Sequence, residues 1–337
     1  MNLIIYLPHR LVIAFLTLIG VMIGTFLFLH VIPSDPAAII AGQNAPEEIL
    51  EATRQKFGLN APLPAQFWRY AMRLASGDLG VSLRTGQPIF TELRRCLPAT
   101  IELATAACAV ALCLGIPLGI IAAVKQDTFW DHLIRFFSLA GLSVPTFFFG
   151  MGALFLFYYL LDLLPAPGRI SLTLSPQTPI TGLLLLDSLL YQDAAVFWDA
   201  LRHLLLPAAT LGYLSAAPLI RLTRASMLAT LRQEYLRTAR VKGLSEYKVI
   251  CKHALKNALL PILTVSGLMY GALLEGSVIT ETIFQWNGLG RYIVSAMLES
   301  DIQAVLGGVL IVTLMYAFIN LMVDLLYCVC NPLIRYV

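Results

Sequence analysis

The chain has 337 residues, of which 58% are hydrophobic and only 13% charged, with a formal net charge of +3. A soluble domain carries about 25% charged residues, so this chain lacks the polar side chains to cover a globule, and it is far too apolar to be disordered. Six Cys over this length exclude a disulfide-rich secreted scaffold, and so small a net charge gives no ground for nucleic-acid binding.

An all-α polytopic membrane protein remains. A spanning helix needs about 20 mostly apolar residues. Six stretches answer: 11–31, 98–123, 136–161, 204–220, 259–282 and 304–327. The first is longer than a signal-peptide core and no small-residue cleavage site follows it, so it reads as a retained helix. The third carries Pro145 and the fourth Pro207 and Pro218, which should kink them.

Between spans one and two lies an outer segment, 32–97. Pro46 followed by Glu47 and Glu48 opens a helix that Gly58 ends, and a second helix is predicted from Pro64 to Ala75. Gly77-Asp-Leu-Gly80 then turns the chain. The segment 162–203, with four prolines, reads as a second outer loop. The chain thus divides into a first helix plus outer helical segment, 1–97, and a transmembrane domain, 98–337.

Lys and Arg orient the bundle. With both termini inside, the inner segments hold thirteen basic residues and the outer ones ten, seven of them in 32–97. A segment of that length is weakly bound by the positive-inside rule. Over the shorter loops the comparison is thirteen to three, which favours N-in and C-in. In this topology only Cys96 faces outside, so no outer intrachain disulfide forms. Cys328 and Cys330 have no metal-site partners at suitable spacing, and none of the five His pairs across a helix face. No metal site and no catalytic residue is expected. P-loop, zinc-protease and serine-hydrolase motifs are lacking, so the chain should not bind ATP itself.

Nine of the 23 basic residues fall within the inner loop 221–258. Thr238, Ala239 and Gly243 are small residues at one-turn spacing and should form a flat patch flanked by Arg237, Arg240 and Lys242. Two readings fit: a basic loop on anionic lipid headgroups, or an element that docks in a groove of a cytoplasmic partner.

Glu234-Tyr-Leu-Arg-Thr-Ala-Arg-Val-Lys-Gly-Leu-Ser245, followed by His253-Ala-Leu-Lys-Asn257, resembles the cytoplasmic-loop motif of permeases in the dipeptide/oligopeptide/nickel family of ABC importers. The resemblance covers nearly the whole chain. Ile32-Pro-Ser-Asp-Pro36, Gly77-Asp-Leu-Gly80, Pro98-Ala-Thr-Ile-Glu102, Gly115-Ile-Pro-Leu-Gly119, Gly141-Leu-Ser-Val-Pro145, Gly288-Leu-Gly-Arg291 and Asn320-Leu-Met-Val-Asp324 look like that family's landmarks, in its order. The long first outer segment is similar to that of the first-listed permease in such systems. The chain departs at Ser34, usually Gly; at Asn287, usually Pro; at Ser300, usually near a basic residue; and at its closing Asn331-Pro-Leu-Ile-Arg335.

The resemblance implies a type I ABC importer permease fold in a bacterial inner membrane. It implies a second homologous permease, two ATP-binding subunits that use ATP and Mg, and an extracytoplasmic binding protein. It assigns the ATPase-coupling loop to Glu234, Tyr235, Arg237, Thr238, Ala239, Arg240, Lys242, Gly243, Leu244, His253 and Asn257. Ionisable groups within spans are pathway candidates: Glu275, on one face with Gly267 and Gly271; Glu102, one turn after Pro98; and Asp324. The Gly267–Gly271 face should pack on the partner permease. Peptides are the expected cargo. A nickel-complex importer of the same family is the alternative, and a channel or secondary transporter, or an intramembrane enzyme, would be a different class.

Overall fold

The computed structural model describes residues 3–31, 36–42, 45–57 and 60–330. Arg10 lacks a described side chain, and the motif Ile32-Pro-Ser-Asp-Pro36, Gly58 and the closing Asn331–Arg335 fall wholly or mainly outside the described residues. Among the described residues the fold is helical, with one isolated bridge between Val81 and Pro88.

The chain begins with α1 (Leu3–Val31), followed by the short α2 (Pro36–Ala41), α3 (Glu47–Phe57) and α4 (Leu63–Ala75). Both helices predicted in the outer segment are present. Glu47 and Glu48 occupy the first turn of α3, where a carboxylate suits the helix dipole. Helix α4 lies on α1: Phe67 meets Phe26 edge-on at 5.4 Å, and the Tyr70 and Thr25 hydroxyls share a hydrogen bond of 3.0 Å.

The bundle consists of α5 (Ile89–Val124), the pair α6 (Phe129–Ser143) and α7 (Thr146–Leu154), α9 (Ala194–Leu231), α12 (Leu255–Gly276) and α15 (Ile302–Cys330). Four of these are apolar and long enough to cross a membrane, and the bent pair makes a fifth. Helix α1, 29 residues long and apolar over the 17 residues Val12–Phe28, stands where the first span is predicted. The remaining elements are α8 (Leu184–Leu190), α10 (Glu234–Val241), α11 (Glu246–Lys248), α13 (Val278–Ile283) and α14 (Leu289–Leu298).

Several boundaries differ from the sequence reading. Helix α5 starts nine residues before the predicted 98, so a division at 97/98 falls inside it. Hydropathy marks only the lipid-deep part of a helix, and α5 continues upward through Arg94 and Arg95. The fourth span is an unbroken 38-residue helix despite Pro207 and Pro218. It takes in the end of the supposed outer loop and the residues 221–231 of the supposed inner loop. The third span is broken by 104°. Val144, the residue before Pro145, is extended at φ −87° and ψ 126°, because the proline ring excludes the helical conformation there.

Helix α9 is the axis of the subunit. Two thirds of its apolar window (67%) is buried, against 33% for α5, 28% for α12 and 22% for α15. It packs on α5 through glycine. A Cβ on Gly115 would stand 2.6 Å from Leu219 Cδ2, and one on Gly119 2.5 Å from Thr223 Cβ. The Gly-Ile-Pro-Leu-Gly spacing therefore lets two helices approach backbone to side chain, the usual device of packing within a membrane. The bent third span leaves Phe136, Phe148 and Tyr159 exposed, an apolar surface suited to lipid or another subunit.

Candidate functional site: the α10 loop and the opposite face

The basic loop is mostly helix. Beyond α9 only residues 232–233 and 242–245 interrupt the helical path through α10 and α11 into α12. Leu236 (0% exposed) and Ala239 face inward and join Met227, Val249, Ala254 and Ile262 in one apolar cluster. The small-residue patch expected on the surface is therefore not there. Ala239 points into the protein, since residues three apart share a helix face and Leu236 is already buried. What α10 exposes is Glu234, Tyr235, Arg237, Thr238, Arg240 and Val241, with Val241 83% exposed, and Lys242 follows exposed at its C-terminal cap.

Gly243 has a different role from the one its spacing indicated. Its φ is +78°, the left-handed region, and a Cβ there would meet no atom within 4 Å. Gly243 N donates to Arg240 O at 2.9 Å and Leu244 N to Ala239 O at 3.4 Å. These are the two bonds of a Schellman cap. Glycine is required by the backbone turn that ends α10, not by crowding within the subunit.

The other loop residues fix α10 to the base of α12. Asn257 Nδ2 donates to the Tyr235 hydroxyl at 2.6 Å, and that hydroxyl donates to His253 O at 3.4 Å. Arg240 Nε donates to Glu246 Oε1 at 2.8 Å. Glu234 sits in the first turn of α10, suited to its dipole, and its carbonyl accepts from the Thr238 hydroxyl. Leu244 packs against the cluster below. Nine of the eleven residues named from the sequence are thus joined at one end of the bundle, while the side chains of Arg237 and Lys242 are exposed.

Just above it, Asp131 is wholly buried and receives Arg224 Nε at 2.7 Å and Nη2 at 2.6 Å. Asp127 N also donates to Asp131 at 3.0 Å. This two-pronged pair locks α6 to α9. Sequence reading missed it, because the partners are 93 positions apart.

At the opposite end stands a second feature the sequence did not disclose. Glu281 is 0% exposed. Its carboxylate accepts from the hydroxyls of Thr100 and Ser277 at 2.8 Å each, and from Arg291 N at 3.0 Å. It thereby anchors the Gly288-Leu-Gly-Arg291 turn onto α5. A Cβ on Gly288 would stand 2.5 Å from that carboxylate, so the glycine gives it room.

The three pathway candidates fare differently. Glu102 is buried and ion-paired with Arg169, and its other oxygen accepts from Leu185 N at 2.8 Å. Both oxygens are engaged, so Glu102 holds the 162–203 segment onto α5 and is not a free pathway carboxylate. Glu275 is exposed at the end of α12 and has no ion-pair partner among the described residues. The glycine face below it does not need a partner permease: a Cβ on Gly267 would stand 2.6 Å from Val323 of α15. Asp324 lies on α15 with its side chain outside the described residues, as do those of Cys328 and Cys330.

The 162–203 segment has its own anchor. Asp187, almost fully buried, accepts from Thr181 N at 2.9 Å, Thr181 Oγ1 at 2.6 Å and Gly182 N at 2.9 Å. Burial pushes its carboxyl up, but these donors outweigh burial and hold it below the ordinary value. A depressed carboxyl stabilises above its unfolded pKa of about 3.9, and that contribution is lost as pH falls through the lower folded value. Asp187→Asn should therefore melt earlier than wild type at pH 7, by roughly 1 kcal/mol. The gap should close in acid, as thermal unfolding at two pH values will show. A gap independent of pH would refute the assignment.

Residues 115–336 match the family described as binding-protein-dependent transport system inner membrane component, and residues 3–104 match its N-terminal membrane component. The chain belongs to this family. It is a multi-pass transport component of the bacterial inner membrane, not an enzyme, and its family works with ATPase partners. It is 46% identical to the probable D,D-dipeptide transport system permease protein DdpB of Escherichia coli (strain K12), over 94% of this chain and 93% of that protein. It is 41% identical to the dipeptide transport system permease protein DppB of the same organism, over 98% of each. The glutathione transport system permease protein GsiC of Pectobacterium atrosepticum is 37% identical over 98% of this chain and 99% of that one. Among solved structures, an inward-facing MetNI methionine ABC transporter matches with a TM-score of 0.54 at 11% identity, covering 71% of this chain and 96% of that chain. That likeness shows the ABC transporter permease fold.

Proposed function

We propose that this chain is one of two permease subunits of an ATP-driven importer of dipeptides or oligopeptides. The observation that carries this reading is the stapled α10 loop on a chain 46% identical to a named D,D-dipeptide permease. The partners would be a homologous permease, two ATPase subunits that bind ATP and Mg, and an extracytoplasmic binding protein. Both termini and α10 would lie on the cytoplasmic side, and Gly288–Arg291 on the outer side. The chain would divide into an N-terminal helix with its outer helices and a transmembrane domain, the two meeting within α5.

In this reading α10 is the coupling element. Its inner face is anchored by Leu236 and Ala239, and its exposed side offers Arg237 and Arg240 with Tyr235 and Val241, followed by Lys242 at the cap and Tyr247 on α11. Closure of the ATPases on ATP would push this face. The Tyr235–Asn257 bond would pass the motion to α12, and the two-residue link 232–233 would pass it to α9.

The test is reconstitution with the partner subunits in proteoliposomes. ATP-dependent uptake of a labelled dipeptide delivered by the binding protein is the expected result, with both ATPases co-purifying. Uptake of a nickel chelate that unlabelled dipeptide does not compete would favour the alternative cargo. A chain that purifies alone and conducts ions would refute the importer reading.

A further inference from the structure

The face opposite α10 carries a cavity of about 540 Å³, within the size range of small-ligand sites. Four arginines line it, Arg84, Arg95, Arg169 and Arg291, and no Asp or Glu does. We infer that this cavity is a carboxylate-binding site that takes the C-terminal carboxylate of a peptide. The inference rests on the peptide-importer reading for its ligand, and on the cavity's own residues for its chemistry.

Three of the four arginines are held in place. Arg169 is held from behind by Glu102 and lies over the Trp286 ring at 5.3 Å. Its Nε is buried with no hydrogen-bond partner. Arg291 Nη1 donates to Gln285 O and to Asn287 Oδ1, each at 2.7 Å. Those acceptors are neutral, so they orient the guanidinium without cancelling its charge. Arg95 has no ion pair or hydrogen-bond partner among the described residues. Besides Arg169, Arg84 alone of the four is ion-paired among the described residues, with Glu299 at 3.2 Å.

The nearby acids are spent elsewhere. Glu92 accepts from the Tyr292 hydroxyl at 2.9 Å, and Glu281 is buried on the hydroxyl and backbone donors described above. Two of the four guanidiniums are salt-bridged, and Arg95 and Arg291 line the cavity without a carboxylate partner among the described residues, in a concave, partly apolar site with Ile170, Pro176 and Leu184 in its wall. Guanidinium forks match a carboxylate in shape and bind it by charge-assisted bonds. A peptide's ammonium end would be repelled, so the peptide would enter by its carboxylate.

The site can be read in the assembled transporter without its binding protein. Ser295→Cys in a Cys96→Ser background puts one thiol in the cavity wall. Right-side-out spheroplasts are labelled with a neutral, membrane-impermeant maleimide in the presence of alanyl-alanine or alanyl-alaninamide. The free acid should slow labelling and the amide should not. Adding Arg95→Gln should raise the protecting concentration roughly tenfold or more, with Arg95→Lys in between. Equal protection by acid and amide, protection unchanged by Arg95→Gln, or a thiol that never labels from outside would each overturn the site. Uptake of the same dipeptide by the same transporter, with its binding protein, tests the underlying reading separately. Uptake without protection removes the site and leaves the importer. Protection without uptake keeps the carboxylate site and removes the importer reading.

Discussion

Replacing Asp131 with Asn should cost about 3 kcal/mol of stability. That is the low end of the range for breaking a buried ion pair, chosen because Arg224 keeps 20% of its side chain exposed while Asp131 keeps none. The loss arises because Arg224 would face a neutral amide with its charge largely desolvated. Both of its bonds to α6, at 2.7 and 2.6 Å, would weaken. The double variant Asp131→Leu, Arg224→Met should recover most of the loss, since it removes the charge and the desolvation together. Thermal or denaturant unfolding in detergent of the two variants gives both numbers. If Asp131→Asn changes stability by less than about 1 kcal/mol, the pair does not clamp α6 to α9.

That clamp also shows where sequence reading stopped. The six spans were legible because each apolar run is long, and the outer helices because Pro46, Glu47 and Glu48 mark a helix start. The interior connections were not. Asp131 and Arg224 are 93 residues apart, and Thr100 and Glu281 are 181 apart. No local period joins them, and each acid taken alone reads as a surface charge. Glu281 carried a weak signal: a carboxylate amid Ser277, Thr280 and two glycines is short of side chains to shield it from the backbone. Boundaries failed for another reason. Helices α5 and α9 outrun their apolar stretches because hydrogen bonding within a helix does not depend on lipid, so polar turns continue where hydropathy stops. The Gly267–Gly271 face was read correctly as a packing face and wrongly as one for another subunit, since spacing shows that helices approach but not which helix arrives.

Gly243 tests the function most directly, and structure and sequence reading differ on why. The sequence made it part of a docking patch; the structure makes it the left-handed cap that ends α10, at φ +78° with open space around it. A left-handed conformation costs a residue with a Cβ about 1–2 kcal/mol, and a β-branched residue more. Gly243→Val should therefore unseat the end of α10, breaking the Leu244 to Ala239 bond and shifting Arg240 and Lys242. Coupled uptake should fall roughly tenfold or more, given tenfold per 1.4 kcal/mol, while the subunit itself stays folded because the strain is confined to an exposed turn. Gly243→Asn separates the two explanations, since Asn accepts the left-handed conformation. If the cap is what matters, Asn keeps most of the uptake and Val loses it. If the partner ATPase needs the bare backbone, both variants fail alike and the ATPases no longer co-purify. If Gly243→Val transports at the wild-type rate with its ATPases bound, α10 is not the coupling element.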